Sequence, residues 1–577
     1  VPKYTYACRE YTPHMAIKRR KRGGHVYLEE YKTTREEGKV VSKFVRYIGR
    51  EDAKSDTYKP RKKVIDRLDL SRSYRAGDVQ LLWSIAEDLG FIQIIDGICC
   101  SDSGLNGVSP GKLLTVWAIN RAIDPDSATM LERWVQTTDL PHLAGLPADV
   151  FTKDAFLFAL DFVCKEDKTA ASITDLSSRI DDALYHRWRK SHPLPADEKE
   201  TLAYDLTTLL FFGVSCPLAE LGYNPDRIRR RQANLAILVS KRDRYPLSHF
   251  VYNGSRHSIS TVKNLLNRLS KMAIEPGTLI WDRGNVSKKH VQMVDESGWK
   301  LICGVPKTSK EAKEIIGKTK IPISPDSLVR SSHAGHIYAI KTENELFGKE
   351  RSTIVYANRE RSVKDADARN EALSVIGESL NELSQTGKDW SEKRLHDRIK
   401  NIVGQWSGFI DASVRRKKDG PRIEWSYDRQ RLRSAEKYDG KWLILSTDYS
   451  LNANNAVNMY LEKDFIEKVF RVLKTHEEVE PVRHRLEHRV KAYLFVCMLA
   501  YRLLAVLQWK LKEASGKEGS WESADMFLRD LAVVQRVEVR FGNEVKTWYL
   551  NMTDSVSARL KEIGMSALFK EETRLVG

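Results

Sequence analysis

Hydrophobic and polar positions change period several times along this chain, and each change marks an element. HVYLEEYKTTREEGKVVSKFVRYIG (25–49) alternates with a period near two and predicts two strands around a turn at Glu36–Gly38. From Asp78 the period becomes helical: Asp78–Leu89 closes with Gly90, Pro110–Ala122 precedes DPDS, and Ser178–Lys190 ends before HPLP. At 201 it shifts again. TLAYDLTTLLFFG is a near-continuous apolar run with β-branched residues, as a strand buried on both faces requires. ANLAILVSKRDRYPLSHFVYNG (233–254) predicts a hairpin turning at Lys241–Tyr245, and a helix follows at Ser260–Ser270. Thr278–Trp281 and KLICGVPK (300–307) read as further buried strands. Between them Ser287 can cap a helix running toward Glu296 and stopped by Gly298.

Residues 309–455 are more polar and charged, with helical stretches at 361–385 and 391–404 and strands around IEWSYD and KWLILSTD. They read as an insertion into the sheet. MYLEKDFIEKVFRVLKTH (459–476) reads as one amphipathic helix: Leu461, Phe465, Ile466, Val469, Phe470, Val472 and Leu473 share one side of the wheel. Tyr460, Lys463, Glu467, Arg471 and Lys474 share the other, within roughly 80°. A second long helix covers 484–512, and 513–577 adds a hairpin turned at Gly542–Asn543 and a final helix. The expected division is therefore a basic β-rich region (1–76), a helical domain (77–200), an α/β sheet in two parts (201–308 and 456–512), an inserted α+β subdomain (309–455) and a small C-terminal hairpin-helix extension (513–577).

Charge narrows the function. The 577 residues hold 95 Lys plus Arg against 78 Asp plus Glu, a net +17 with a pI near 9.3. That surplus favours a polyanionic partner, DNA or RNA before a membrane. The clusters KRRKR (Lys18, Arg19, Arg20, Lys21, Arg22) and KPRKK (59–63) could grip phosphates or serve as solvated tails. The most apolar stretch, 492–507, is interrupted by Arg502 and suits a buried helix better than a membrane span. The N-terminus lacks an apolar signal-peptide core. Seven cysteines form no CxxC pair, and several sit in apolar runs, so reduced buried thiols of a cytosolic protein are expected.

Two carboxylates stand out. Asp205 lies inside the apolar run at 201–213 and Asp282 ends the strand Thr278–Trp281. A carboxylate in an apolar strand must be hydrogen-bonded structure or hold a cation. If the two strands are neighbours the aspartates meet, and Glu467 could supply a third acid. Three carboxylates with open positions suit Mg²⁺, and two such ions could drive phosphodiester displacement. The plainer reading of Glu467 is a solvated face with i,i+4 pairs to Lys463 and Arg471.

Tyr460, Lys463, Glu467 and Lys474 carry the spacing of the signature Y-x2-R-x3-E-x6-K, with Lys463 where arginine is usual. YDLTT and WDRGNVS resemble the two aspartate contexts of the same group, GYNPDRIRRRQANLAI the segment between them, and PVRHRLEHRVKAYLFVCMLAYRLL the helix after the glutamate. Over about 200–512 the chain thus resembles the DDE transposases of prokaryotic insertion sequences. The resemblance implies an RNase H-like α/β core, a mixed sheet flanked by helices and interrupted by an inserted subdomain. It implies that Asp205, Asp282 and Glu467 are catalytic and hold two Mg²⁺ ions, with Mn²⁺ able to substitute. Tyr460, Lys463 and Lys474 would contact phosphates of the transposon end. Arg471, on the same face, could compensate for Lys463, since ammonium binds phosphate only as a point charge. Double-stranded DNA, both transposon ends and target, is the implied partner, with a homodimer in the synaptic complex, no membrane, and a cytoplasmic, nucleoid-associated location. Some relatives hold a flipped base on an aromatic of the insertion; Trp406, Trp425 and Trp442 lie there and read as core packing.

Two rival readings stand beside this one. HRLEH (His484, Glu487, His488) fits the inverted zinc-peptidase pattern H-x-x-E-H, although Arg483, Arg485 and Arg489 would make that pocket strongly cationic. A domesticated transposase would keep the shape and charge and bind DNA without cutting it.

Overall fold

The computed structural model describes residues 14–36, 39–51, 68–99, 109–167, 169, 172–211, 215–222, 224, 228–256, 258–332, 335–417, 420–516, 523–541, 544–570 and 572–575. Cys8, Cys100, the cluster 59–63 and the turn Gly542–Asn543 lie outside them, as does most of the Glu36–Gly38 turn. The chain forms two compact units, one of residues 1–72, 538–547 and 572–577, the other of 73–537 and 548–571.

In the first unit, β1 (His14–Arg22), β2 (His25–Glu36) and β3 (Lys39–Glu51) form an antiparallel sheet in that order. The expected hairpin is present as β2 and β3, and the basic cluster is itself a strand, paired with β2 from His14↔Thr33 to Arg22↔His25.

The second unit is built on one mixed sheet. Its main strands are β4 (Thr201–Leu210), β5 (Arg231–Ser240), β6 (Pro246–Asn253), β7 (Thr278–Trp281), β8 (Lys300–Val305), β9 (Leu328–Ser332), β10 (Gly335–Leu346), β11 (Lys349–Asn358) and β12 (Lys441–Ser446), and a short tenth strand, Glu220–Leu221, pairs with β5. Their order is β6-β5-β4-β7-β8-β12-β11-β10-β9. β4, β7 and β8 run parallel; the outer pairs are antiparallel. The near-continuous apolar runs at 201, 233, 278 and 300 have the reason the pattern demanded: helices cover both faces. Leu279 and Trp281 point into the larger core, Ile280 into a smaller one with Ile302, Ile354, Ile444 and Val457.

Part of the region 309–455 joins this sheet: β9, β10 and β11 extend it through β12. Between β11 and β12, helices Arg359–Thr386 and Glu392–Val403 and a hairpin (Ile410–Lys417, Gly420–Tyr427) close on a separate core of Leu373, Leu380, Leu395 and Ile410. Helices at Gly77–Leu89, Pro110–Ile123, Lys153–Val163 and Ser177–Ser191 occupy the region expected to be helical.

The long helix α1 (Glu487–Ser515) runs through the larger core and packs against Pro110–Ile123 and Lys153–Val163. It is long and apolar enough to cross a membrane by length and composition, yet it is buried in the fold. Arg502, which breaks its apolar run, is fully buried and pairs with Asp181 at 2.7 Å. Asp181 also accepts from His249 Nδ1 at 2.8 Å. Burial works to raise the Asp181 pKa, but Arg502 and then His249 hold it down at about 2.

α1 begins at Glu487, so His484 precedes it, and the zinc-peptidase reading loses the helical turn it needs between its histidines. His484 packs between Trp117 and Tyr493, where burial lowers its pKa to about 4. His488 instead bonds Asp161 at 3.1 Å. Cys164, Cys303 and Cys497 are buried thiols outside any disulfide, as their apolar runs predicted; Cys216 is buried too, whereas Cys99 of the run ICC is half-buried.

Candidate active site

β4 and β7 are neighbouring parallel strands with Tyr204 opposite Trp281. One residue further on stand Asp205 and Asp282, so the register sets the two carboxylates side by side on one face. Asp282 is still extended (φ −80°, ψ 165°) before the chain turns into Arg283–Asn285. Asp205 is half-buried and accepts from the backbone N–H of Leu206 at 2.8 Å.

The expected helix Met459–His476 is broken in two, which corrects the single-wheel reading. One helix, Ala453–Leu461, ends at Glu462; a second, Asp464–Arg471, begins after Lys463 and passes into a π turn at Val472–His476. Asp464 and Glu467 sit in the second helix's first turn, where the backbone N–H groups favour negative charge. Phe465, Ile466, Val469 and Phe470 bury its apolar side, as the periodicity predicted, and the helix packs on β4. Glu467 faces outward from that packing.

The break gives Tyr460 a different task. Its ring is buried in the smaller core and its hydroxyl donates to Asp282 Oδ1 at 2.9 Å. Lys463 Nζ approaches the same oxygen at 3.8 Å and lies 5.3 Å from the Tyr460 ring. Lys474 Nζ donates to the Thr208 carbonyl at 2.6 Å and pairs with Glu480 at 2.7 Å, tying the π turn to β4. Arg471 is exposed. Lys18, Arg19, Arg20, Lys21 and Arg22 are exposed on β1, in the other unit.

Electrostatics tie the trio together. Asp205 has its pKa raised to about 7, chiefly by burial; the Leu206 N–H opposes this, the Asp282 carboxylate adds to it, and the smaller effects of Lys463 (lowering) and Glu467 (raising) follow. A carboxyl that burial holds protonated near neutrality, with two more carboxylates adding to the shift, is a site short of positive charge. Three carboxylates are the hard oxygen donors that suit a divalent cation. The donor chemistry thus fits a metal, although among the described residues no three His, Cys, Asp or Glu side chains already enclose one. Asp282 is instead engaged by Tyr460 and Lys463.

Sequence reasoning missed Gly304. A Cβ there would stand 2.3 Å from the Tyr460 hydroxyl, so only glycine lets the tyrosine cross β8 to reach Asp282. A glycine inside the buried strand LICGV was the available signal. Also missed was the cavity of about 230 Å³ beside Asp282, walled by Arg283, Tyr356, Trp442, Leu461 and Lys463. Trp442 stacks on Tyr356 at 5.2 Å, with Lys307 Nζ 4.9 Å from its ring. Of the four tryptophans in 309–455, Trp442 therefore borders this cavity, whereas Trp390, Trp406 and Trp425 pack against the separate core.

Residues 197–503, more than half of the chain, match the family model described as the transposase DDE domain. A cryo-EM structure of the piggyBac transposase synaptic complex with hairpin DNA aligns over 81% of this chain and 82% of that one, at 11% identity and a TM-score of 0.36. The Drosophila P element transposase strand transfer complex aligns over 62% and 85%, at 12% identity and a TM-score of 0.13. At those scores neither likeness speaks to the fold or the site. No curated protein matches.

Proposed function

This chain belongs to the transposases with a DDE domain, and from that premise we propose that it cuts and rejoins DNA at the ends of a prokaryotic insertion sequence of the Y-x2-R-x3-E-x6-K group. The carrying observation is the register that sets Asp205 beside Asp282, with the Glu467 helix packed on the same strand. The order β6-β5-β4-β7-β8, with its last three strands parallel, supports an RNase H-like core, and residues 309–455 would be its insertion. Asp205, Asp282 and Glu467 would hold divalent cations, Mg²⁺ in the cell with Mn²⁺ as substitute. When bound, such ions supply the activated water or 3′-hydroxyl and stabilise the leaving oxygen.

The chain's own part is to place and release charge. Asp205 gives up its proton to take a cation, and Tyr460 and Lys463 hold Asp282 until then. Lys463 and Arg471 flank Glu467 and would bind the phosphates next to the cut; Lys474 orients the π turn. The substrate is double-stranded DNA: the terminal inverted repeats and then the target. A homodimer would bring two ends together by cut-and-paste, at the nucleoid in the cytoplasm. Basic residues 1–76 and the helical region 77–200 would recognise the ends.

The test is cleavage of labelled DNA carrying the gene's own flanking repeats, in Mg²⁺ or EDTA, by wild type and Glu467→Gln. Metal-dependent cuts at the element boundary, lost in the variant while binding persists, are expected. Binding with no cutting by wild type would refute the enzyme in favour of a DNA-binding relic.

A further inference from the structure

The sheet of the first unit carries charge in a pattern that the catalytic site does not use. β1 and β3 are its two edges and β2 its centre. β1 holds five consecutive cations, Lys18 to Arg22, and no carboxylate. β3 holds Lys39, Lys43, Arg46 and Arg50 against a single acid, Glu51, at its end. The other acids, Glu29, Glu30 and Glu36, are on the middle strand. Successive residues of a strand point to opposite faces, so the run on β1 makes that edge positive on both faces. Arg19 pairs with Glu51 and Arg46 with Glu30, each at 2.6 Å, and Arg20 lies 3.8 Å from Glu29. Among the described residues no carboxylate pairs with Lys18, Lys21 or Arg22.

One face of the same sheet is aromatic. Register sets Tyr31 between Ala16 and Phe44, and Tyr27 between Arg20 and Arg50. Tyr31 meets Phe44 at 5.7 Å, Tyr27 meets Tyr47 at 5.8 Å, and Lys18 Nζ lies 4.5 Å from the Tyr31 ring. Phe44 and Tyr47 are each 54% exposed, far more than ring packing within a core would leave.

On the face of this strip, where Glu29 accepts from the Tyr31 hydroxyl at 2.9 Å, β1 carries Lys18, Arg20 and Arg22 and β3 carries Arg50. Lys39, Lys43 and Arg46 of β3 face the other way. The two edges are separated by two strand spacings of about 4.8 Å, roughly 10 Å in all. The major groove of duplex DNA is about 12 Å wide between its phosphate backbones, and it displays thymine methyls and base-edge donors and acceptors. A single strand has one backbone and would leave one cationic edge unmatched. We propose that the sheet His14–Glu51 enters the major groove of duplex DNA, with β1 and β3 along the two phosphate backbones and Tyr27 and Tyr31 toward the bases. This rests on the reading that the protein acts on DNA ends, and it assigns their recognition to this sheet.

The test uses the full-length protein in EDTA, with three probes: duplex carrying the flanking repeats, scrambled duplex, and the single strand. Lys18→Gln/Arg22→Gln changes two exposed side chains that no core residue needs. It should weaken both duplexes alike and lower the salt slope by about 2, near 0.9 per lost phosphate contact. Tyr27→Ala/Tyr31→Ala should weaken repeat duplex about tenfold and scrambled duplex little, with circular dichroism confirming the fold. Replacing thymine by uracil in the repeat, which removes only a major-groove methyl, should reproduce part of that loss. If wild type prefers the repeat and the variants keep its affinity and slope, this proposal alone fails. Preferential binding of single strand, lost with the tyrosines, would also overturn it. If wild type does not distinguish repeat from scrambled duplex, the end-recognition reading falls with it.

Discussion

Asp205 makes cation binding depend on pH in a way that can be worked from the structure. Its carboxyl, raised to about 7, is protonated in roughly ten of eleven molecules at pH 6 and in about one of eleven at pH 8. A cation must displace that proton. Competition weakens binding by a factor of about 11 at pH 6 and about 1.1 at pH 8, so the two conditions differ about tenfold, or ~1.4 kcal/mol. The sign for folding runs the other way. A carboxyl whose pKa is higher in the folded protein than in the unfolded chain favours the metal-free fold at low pH. That contribution is lost as pH climbs through the window from about 4 to about 7. Titration calorimetry with Mn²⁺ in buffers of different ionisation enthalpy counts the released protons: about 0.9 is expected at pH 6 and about 0.1 at pH 8. Asp205→Asn should bind weakly at both and release almost none. Wild-type binding that is equally tight at the two pH values, with no proton released at pH 6, would refute the reasoning.

Three further outcomes test the surroundings of the site. Tyr460→Phe removes the hydroxyl bonded to Asp282 at 2.9 Å, a bond to a charged acceptor worth about 1.5–3 kcal/mol. Cleavage should slow at least tenfold at unchanged duplex affinity; equal losses in both would assign Tyr460 to phosphate binding instead. Gly304→Ala puts a methyl 2.3 Å from that hydroxyl and should slow cleavage at least as much. Combined with Tyr460→Phe it should add little, and additive losses in the double variant would contradict the contact. Arg502→Met takes from Asp181 its buried ion pair, leaving His249 hydrogen-bonded to it and the Arg268 charge nearby, and should destabilise the protein by about 3–5 kcal/mol, read as a lower melting temperature. An unchanged melt would show the buried pair to be dispensable.

Period and composition made the strands at 201–210, 278–281 and 300–305 legible, because a strand covered on both faces must be apolar throughout. An aspartate in such a run is conspicuous, so Asp205 and Asp282 could be read from the chain. Ser287 and Gly298 punctuated their helix as expected, by local hydrogen bonding and a left-handed backbone (φ +80°). The basic run Lys18–Arg22 was plain as charge, but pairing to β2 made it a strand edge.

What followed from neighbours far along the chain was decided elsewhere. Periodicity treated Met459–His476 as one wheel, since it sees apolar spacing and not where a helix stops. The break at Glu462–Lys463 sends the Tyr460 hydroxyl to a carboxylate 178 residues away in sequence. Whether the aspartates meet depends on which strands pair, and the 309–455 region looked separate because pairing of β11 with β12 leaves no local trace. Local sequence determines hydrogen bonds and rotations within a turn or a strand. Partnerships across the sheet, and the burial that raises the Asp205 pKa, arise only when distant segments pack together.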